Sequence, residues 1–140
     1  MVQPEIQFLA HTADVGLLLR ADTLPQLFRI AADGLFQLTR NEDVEHVHTN
    51  AAETRALELH ADDVALLLVA WLRELLYVQQ AEQLCITGLD LHSLTERDLV
   101  ATIHCTACTA PQREIKAVTY HQLSVSRQQG VWTGRVIFDV

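Results

Sequence analysis

The sequence predicts an α+β fold in which an antiparallel or mixed sheet packs on one central apolar helix. The chain has 140 residues, which is the length of one domain. Two segments with helical periodicity occur before residue 81, and the later segments have strand character. Polar turns separate these later strands, so we expect hairpins. The sequence therefore predicts one domain, residues 1–140, with the element order β-β-α-β-α-β-β-β-β.

The first part of the chain contains three predicted strands and an amphipathic helix. The helix covers residues 24–38, and Thr23 is suited to cap it because Gln26 follows three positions later. Gly34 lies inside this helix, where glycine costs about 1 kcal/mol relative to alanine, so a close packing contact would account for it. The strands are predicted at 6–9, 15–21 and 55–60, with an acidic loop at 42–45.

The second predicted helix begins after Asp62 or Asp63 and ends near Gln80. Its apolar positions cover more than one face, which is typical of a helix that is buried on most sides. We therefore expect this helix to form the centre of the core. Strands are predicted after it at 84–92, 99–105, 115–126 and 131–140, with turns at 95–98 and 128–130.

Composition and motifs argue against several classes of protein. Eighteen acidic and ten basic residues give a net charge of −8, which disfavours direct binding to nucleic acid. The longest apolar run, residues 64–72, is far shorter than the roughly 20 residues that a membrane helix needs. The chain starts without the features of a signal peptide, so a cytoplasmic location is expected. Nucleotide-binding, serine-hydrolase and zinc-protease motifs are absent, so we do not expect an enzyme.

The two ends of the chain supply the first candidate site. Asp139 is penultimate, so its carboxylate lies next to the terminal carboxylate of Val140. Asp14 opens a predicted strand and is the natural third ligand if the first and last strands are neighbours. Such hard oxygen donors suit Ca²⁺ or Mg²⁺. The alternative is that Asp14 is a turn residue and Asp139 is solvated.

Lys116 is the second candidate, because it is the only lysine beside nine arginines. A tight turn at Gln128-Gln129 would place Val118 opposite Asp139. Lys116 would then lie one pleat away on the same face, within reach of the end of the chain. A one-residue bulge would reverse this arrangement. The alternative is a strand lysine that points into solvent.

The cysteines and one histidine are weaker candidates. Cys85, Cys105 and Cys108 are too few for a disulfide framework, and a reducing compartment would keep them as thiols. Cys105 and Cys108 form a C-x-x-C pair, which also occurs in zinc and redox sites. Cys105 shares the apolar face of its predicted strand, so packed thiols are favoured. His11 is a candidate because it lies near Asp14 in the sequence.

Several segments of the chain, in this order, resemble the archease family. They are H-T-A-D-V-G at 11–16, W-L-x-E-L-L at 71–76, K-A-V-T-Y-H at 116–121 and F-D-V at 138–140. The resemblance covers essentially the whole chain, and it implies an α+β fold with a strand-helix-strand-strand module. It also implies a small cytoplasmic accessory protein, which helps an RtcB-type tRNA-splicing RNA ligase to become guanylylated and to turn over repeatedly.

The resemblance also implies roles for particular residues. Asp14, Asp139 and Val140 are implied to bind a divalent cation, for which calcium is expected and magnesium or manganese are alternatives. Lys116 and Glu45 are implied to join the two aspartates in activating the ligase. The ligase is the expected partner, and it handles the RNA. One departure is the stretch 105–113, which is short and lacks the Gly-Glu sequence of the family.

Two other functions remain open from the sequence. The chain could be a chaperone or adaptor for another RNA-processing or modification enzyme, because one chain does not identify its partner. It could also be a redox or zinc module that uses Cys105 and Cys108. Zinc that binds stoichiometrically and is lost in a Cys105→Ser/Cys108→Ser double variant would favour this last function.

Overall fold

The observed architecture is an α+β fold with the predicted order of elements. A computed structural model describes residues 2–10, 13–40, 48–108 and 112–140. The elements are β1 (Glu5–Ala10), β2 (Asp14–Ala21), α1 (Leu24–Thr39), β3 (His48–His60), α2 (Val64–Gln80), β4 (Leu84–Leu94), β5 (Asp98–Cys108), β6 (Ala117–Gln128) and β7 (Val131–Asp139). The predicted fold class is therefore confirmed.

The strands described by the structure divide between two antiparallel sheets. One sheet has four strands in the order β1-β2-β7-β6, and the other has three in the order β3-β5-β4. In the larger sheet, β7 lies between β2 and β6. Strands from the two ends of the chain are thus direct neighbours, and this pairing positions the candidate site.

The first helix follows its predicted course. The Thr23 side chain accepts a hydrogen bond from the Gln26 N–H at 3.2 Å, as a helix cap does. The close contact expected at Gly34 is present, because a Cβ atom there would lie 2.8 Å from Leu17 Cδ1. Leu17 belongs to β2 and is fully buried. Glycine therefore lets α1 pack tightly on the larger sheet.

The second helix lies in the core, as predicted. Asp63 caps it by accepting a hydrogen bond from the Leu66 N–H at 2.9 Å. Trp71 is fully buried, and its indole N–H donates to the Phe28 carbonyl of α1 at 3.0 Å. The helix contacts α1, the smaller sheet and β6. Neither α1 nor α2 combines the length and the apolarity needed to cross a lipid bilayer, and the described residues contain no other helix.

β3 differs most from its predicted length, whereas β1, β2, β4 and β5 are one to four residues longer than predicted. β3 begins at His48 rather than at residue 55, because its first half pairs with the end of β5. The residues 48–54 are mostly polar or small and do not alternate with apolar ones. Their strand conformation therefore depends on the partner strand, which the sequence pattern does not reveal.

The hairpin of β6 and β7 departs from regular pairing. Its turn consists of Gln129 and Gly130, which both have positive φ angles (53° and 78°), as a type I′ hairpin turn requires. Further along, β6 advances five positions from Thr119 to Ser124 while β7 advances only two, from Ile137 to Arg135. Three additional residues of β6 are accommodated in this irregular stretch, so the register beyond it cannot be read from the turn alone.

Candidate functional site

The pairing of β2 with β7 brings the two predicted metal-binding aspartates together. Asp14 and Asp139 are direct partners in the register of these strands. Asp14 is half-buried, and Asp139 is exposed. Beside them, the Val140 N–H donates to the Ala13 carbonyl at 3.3 Å. Because that neighbouring pair is hydrogen-bonded, Asp14 and Asp139 form a non-hydrogen-bonded pair, in which side chains approach most closely.

Core residues on the same strands fix this register. Leu17 of β2 and Val136 and Phe138 of β7 are fully buried. A shift by one residue would move these side chains from the core to the solvent face. Gly16 pairs with Ile137, and a Cβ atom at Gly16 would lie 2.7 Å from Ile137 Cδ1. The sequence therefore favours close, correctly aligned strands beneath the two aspartates.

Lys116 lies next to Asp139, but in a different register from the one predicted. The predicted turn at Gln128-Gln129 is wrong, and so is the predicted pairing of Val118 with Asp139. Val118 instead faces Phe138 and Ala117 faces Asp139, because the turn lies one residue later and β6 has an irregular stretch. The Lys116 N–H donates to the Asp139 carbonyl at 2.8 Å, and the residue is exposed. A main-chain hydrogen bond thus places the backbone of the only lysine beside Asp139. The prediction that Lys116 shares the face of Asp139 is wrong, because Ala117 takes the position opposite Asp139.

The arrangement fits a hard divalent cation. Asp14 and Asp139 supply carboxylate oxygens, the ligand type that Ca²⁺, Mg²⁺ and Mn²⁺ prefer. Within the described residues, no three His, Cys, Asp or Glu side chains gather in one place. A further protein ligand from that part of the chain would therefore be a main-chain oxygen, and Val140 adjoins the pair. We call Asp14, Asp139 and Val140 the acidic tip.

Comparison with known proteins identifies the family. A sequence model of the Archease protein family (MTH1598/TM1083) matches residues 7–140. The chain belongs to the archease family. Protein archease of Methanosarcina mazei is 28% identical over an alignment of 142 positions, which covers 96% of this chain and 94% of the relative. Protein archease of Thermococcus kodakarensis is 28% identical over 139 residues, with coverage of 93% and 94%. The family resemblance expected from the sequence is therefore confirmed.

Solved structures show the archease fold. A solution structure of Methanobacterium thermoautotrophicum protein 1598 matches with a TM-score of 0.67 and 23% identity, over 96% of this chain and 98% of that one. A crystal structure from Thermotoga maritima, described as an archease and possible chaperone, matches with a TM-score of 0.65 and 18% identity. That match covers 100% of this chain and 98% of the other chain. At these identities, the likeness establishes the fold.

Two residues singled out from the archease motifs lie outside the described residues. Glu45 falls in the segment 41–47, and His11 falls in the segment 11–12. Their predicted roles, as ligase-activating glutamate and as neighbour of the metal site, remain predictions. The segment 109–111, within the short stretch that departs from the archease pattern, also lies outside them.

One prediction for the cysteines is wrong, and another is confirmed. Cys85 and Cys108 form a disulfide across β4 and β5, so they are not free thiols, and their Cα atoms are 5.2 Å apart. Cys85 faces Thr106 in the strand register, so Cys108 is its diagonal neighbour on the same face. Cys105 is a free, buried thiol, as predicted, and it approaches the Glu53 carbonyl at 3.7 Å. Burial raises the pKa of this thiol. Cys105 and Cys108 are therefore not bonded to each other, because Cys108 is paired with Cys85.

Sequence reasoning missed a second cluster beside Lys116. Arg73 of α2 donates to the Val118 carbonyl through Nε at 3.3 Å and Nη2 at 3.0 Å. Its Nη1 donates to the Tyr120 hydroxyl at 2.6 Å, and its guanidinium carbon lies 4.5 Å from the centre of that ring. One signal was available: Arg73 is the only basic residue in an otherwise strongly apolar helix.

Proposed function

We propose that the protein is an accessory factor of an RtcB-type tRNA-splicing RNA ligase. In this function it promotes guanylylation of the ligase and allows each ligase molecule to act repeatedly. The observation that carries the proposal is the register of β2 and β7, which sets Asp14 opposite Asp139 beside Lys116. Membership of the archease family supports it, because the resemblance to that family implies these roles for Asp14, Asp139 and Lys116.

The acidic tip is proposed to hold a divalent cation, with calcium expected and magnesium or manganese as alternatives. Asp14, Asp139 and a main-chain oxygen of Val140 would be its ligands. Like charges directly opposite each other destabilise a strand pair, so a cation between the two carboxylates would stabilise the tip. When bound, the cation supplies positive charge at an exposed edge of the protein.

Lys116 is proposed to act next to this site as a fixed positive charge. Its backbone is held by the hydrogen bond to the Asp139 carbonyl, while the residue is exposed. An ammonium group in this position can pair with a phosphate or carboxylate of the partner enzyme. Glu45 is proposed as a further ligase-activating residue.

The proposed role is that of a cytoplasmic accessory protein rather than of an enzyme. No nucleophile–base pair is recognisable in the sequence. With a net charge of −8, the chain is unsuited to hold an RNA backbone by itself, so the RNA would be bound by the ligase. The protein would act by contact with the ligase.

An RNA ligation assay tests this proposal. The purified cognate ligase is used at a concentration far below that of its RNA, with and without this protein. We expect the wild-type protein to convert about one turnover into many. Asp14→Ala, Asp139→Ala and Lys116→Ala should each lose this effect. Asp62→Ala is a matched control, because Asp62 is exposed and does not cap α2.

The outcomes separate the proposal from its alternative. If the variants stimulate the ligase as well as the wild type does, the acidic tip and Lys116 are not the activating site. If the wild-type protein has no effect on the ligase, the proposal fails as a whole. The role of chaperone or adaptor for another RNA-processing enzyme would then be favoured, in agreement with the description of the Thermotoga maritima relative as a possible chaperone.

A further inference from the structure

A groove runs between the exposed side of α2 and the start of β6. Its volume is about 350 Å³, and we call it the α2–β6 groove. The residues that matter for the argument are Arg73, Leu76, Tyr77, Ile115, Lys116 and Val118. Lys116, whose backbone is bonded to Asp139 of the acidic tip, is thus one of the residues that line the groove.

The floor of the groove is apolar, and aromatic side chains lie at its rim. Leu76, Ile115 and Val118 have at most 8% of their surface exposed. Tyr77 lines the groove and Tyr120 lies beside it, and each is 56% exposed. They are the two tyrosines of the chain. Large apolar surface left in contact with solvent around a buried floor is typical of a binding surface.

The charge of this surface is opposite to that of the whole protein. Of the residues that line the groove, Arg73 and Lys116 are cationic and none is anionic, which gives a net charge of +2. The chain as a whole has a net charge of −8. The groove is thus a local positive surface on an acidic protein, and it would attract a negatively charged partner.

Arg73 and Tyr120 are held in place before any partner binds. The three hydrogen bonds of Arg73 to the Val118 carbonyl and the Tyr120 hydroxyl fix the guanidinium over the ring. Side chains that are already ordered lose less conformational freedom on binding. Tyrosine and arginine are also the residues that most often dominate the energy of protein interfaces.

We propose that the α2–β6 groove binds an acidic segment of the partner enzyme. An apolar or aromatic side chain of that segment lies on the floor formed by Leu76, Ile115 and Val118. Its neighbouring carboxylates face Lys116 and Arg73. This inference rests on the proposed function, because the partner is taken to be the RNA ligase.

The same features disfavour RNA as the occupant of the groove. Binding of a nucleic-acid backbone usually depends on many phosphate contacts, and this groove is lined by only two cations, Arg73 and Lys116. The overall charge of −8 would repel a long polyanion. One ring face of Tyr120 is covered by Arg73, which limits the stacking of bases. A short acidic peptide segment fits the positive charge and the apolar floor of the groove better than RNA does.

A charge series at Tyr77 tests the inference. Tyr77→Ala, Tyr77→Lys and Tyr77→Glu are compared with the wild type for binding to the purified ligase, at low and at high salt. We expect Tyr77→Ala to weaken binding about tenfold, because it removes an aromatic contact. An acidic occupant predicts that the Lys variant binds more tightly than the Ala variant and the Glu variant more weakly. These differences should shrink at high salt.

Leu66 provides a matched control on the same helix. It is 36% exposed and does not line the α2–β6 groove. The substitutions Leu66→Ala, Leu66→Lys and Leu66→Glu should leave the affinity for the ligase within about twofold, because surface positions outside an interface contribute little. Thermal unfolding of every variant checks that the fold is retained.

A crosslinking experiment identifies the segment that occupies the groove. A photoreactive p-benzoylphenylalanine in place of Tyr77 should crosslink to an acidic segment of the ligase.

Each outcome either supports or overturns the inference. The predicted order of affinities, together with a crosslink to an acidic segment, supports it. Equal affinities at position 77, a crosslink to a basic segment, or a series that alters binding of a labelled RNA oligonucleotide instead of the ligase overturns it.

Stimulation of ligation, measured in parallel, shows which proposal has failed. If the wild type stimulates the ligase while the series at Tyr77 has no effect, only the groove is wrongly assigned. If the Tyr77 series changes binding as expected but the wild type does not stimulate ligation, the assignment of the groove is supported and the proposed activation of the ligase is overturned. If the wild type neither binds nor stimulates, both proposals are overturned.

Discussion

Asp14 and Asp139 face each other across β2 and β7, although they come from opposite ends of the chain. Two carboxylates in directly opposed positions destabilise a strand pair. The pairing is nevertheless enforced by the buried residues Leu17, Val136 and Phe138 on the same strands. The core thus holds together two like charges, and this relationship leads directly to the first prediction.

Calcium should stabilise the folded protein, and Asp139→Asn should abolish the effect. At a calcium concentration 100 times the dissociation constant, binding would add about 2.7 kcal/mol to the free energy of unfolding. Without calcium, Asp139→Asn should be at least as stable as the wild type, because it removes one of the opposed charges. Thermal unfolding with and without calcium measures both effects. Asp62→Asn is the control, and an equal response of wild type and Asp139→Asn would contradict the prediction.

Gly34→Ala should destabilise the protein, although alanine is the better helix former. The new Cβ atom would lie 2.8 Å from Cδ1 and 3.1 Å from Cδ2 of the fully buried Leu17. Overpacking a core costs about 1–3 kcal/mol, which exceeds or offsets the gain of about 1 kcal/mol in helix propensity. We expect a net loss of about 1 kcal/mol in urea unfolding.

Gly134→Ala is the comparison for this prediction. A Cβ atom there would meet its nearest neighbours, Leu19, Leu27 and Ser124, at 3.7 Å, which is an ordinary contact. The Gly134 variant should therefore lose less stability than the Gly34 variant. The reverse order would show that the contact between α1 and Leu17 can relax.

The ion pair of Asp90 and His104 should make stability depend on pH in the acid range. The hydrogen bond from His104 lowers the pKa of Asp90 below its ordinary value of 3.8. The folded state therefore binds a proton at Asp90 less readily than the unfolded state does. This contribution is present above the ordinary value and is lost as the pH falls through the lowered one.

Asp90→Asn provides the measurement. Its free energy of unfolding should be lower than that of the wild type near pH 5, and the difference should shrink as the pH is lowered below about 4. His104 approaches Asp90 at 2.7 Å on the exposed face of the smaller sheet, so salt should weaken the effect. A difference that is constant over this pH range would mean that the pair does not couple to folding.

The Cys85–Cys108 disulfide should stabilise the protein under oxidising conditions. It joins residues separated by 23 positions, for which the chain-entropy model gives about 3 kcal/mol. Cys85→Ser should lower the free energy of unfolding by about this amount, and a dithiol reductant should lower that of the wild type in the same way. The reductant should not affect the variant. A wild type that is insensitive to reductant would contradict the prediction.

The helices and the larger part of the acidic tip could be predicted from the sequence. Thr23, Asp63 and the apolar periodicity that follows them are local signals, and local signals determine helix boundaries well. Asp14 and Asp139 could be predicted as a pair only on the condition that their strands are neighbours. The sequence pattern does not predict which strands are neighbours, because strand order is a property of the whole fold.

The errors arose where structure depends on distant partners. The position of Lys116 was inferred from a regular hairpin, but the irregular stretch between Thr119 and Ser124 changes the register. Cys85 pairs with Cys108 across strands, and spacing along the chain had drawn attention to Cys105 instead. The α2–β6 groove was missed because its two walls are more than thirty residues apart in the sequence.

Because β7 lies in the middle of its sheet, the acidic tip and the sheet both depend on synthesis through this strand. β7 is the last strand of the described chain, yet it lies between β2 and β6 and pairs with both. A chain that stops before Val131 would lack Asp139 and would leave both of those strands with an unpaired edge. Such edges promote association with other chains. Only a chain translated through this strand can therefore present both the tip and the complete four-stranded sheet.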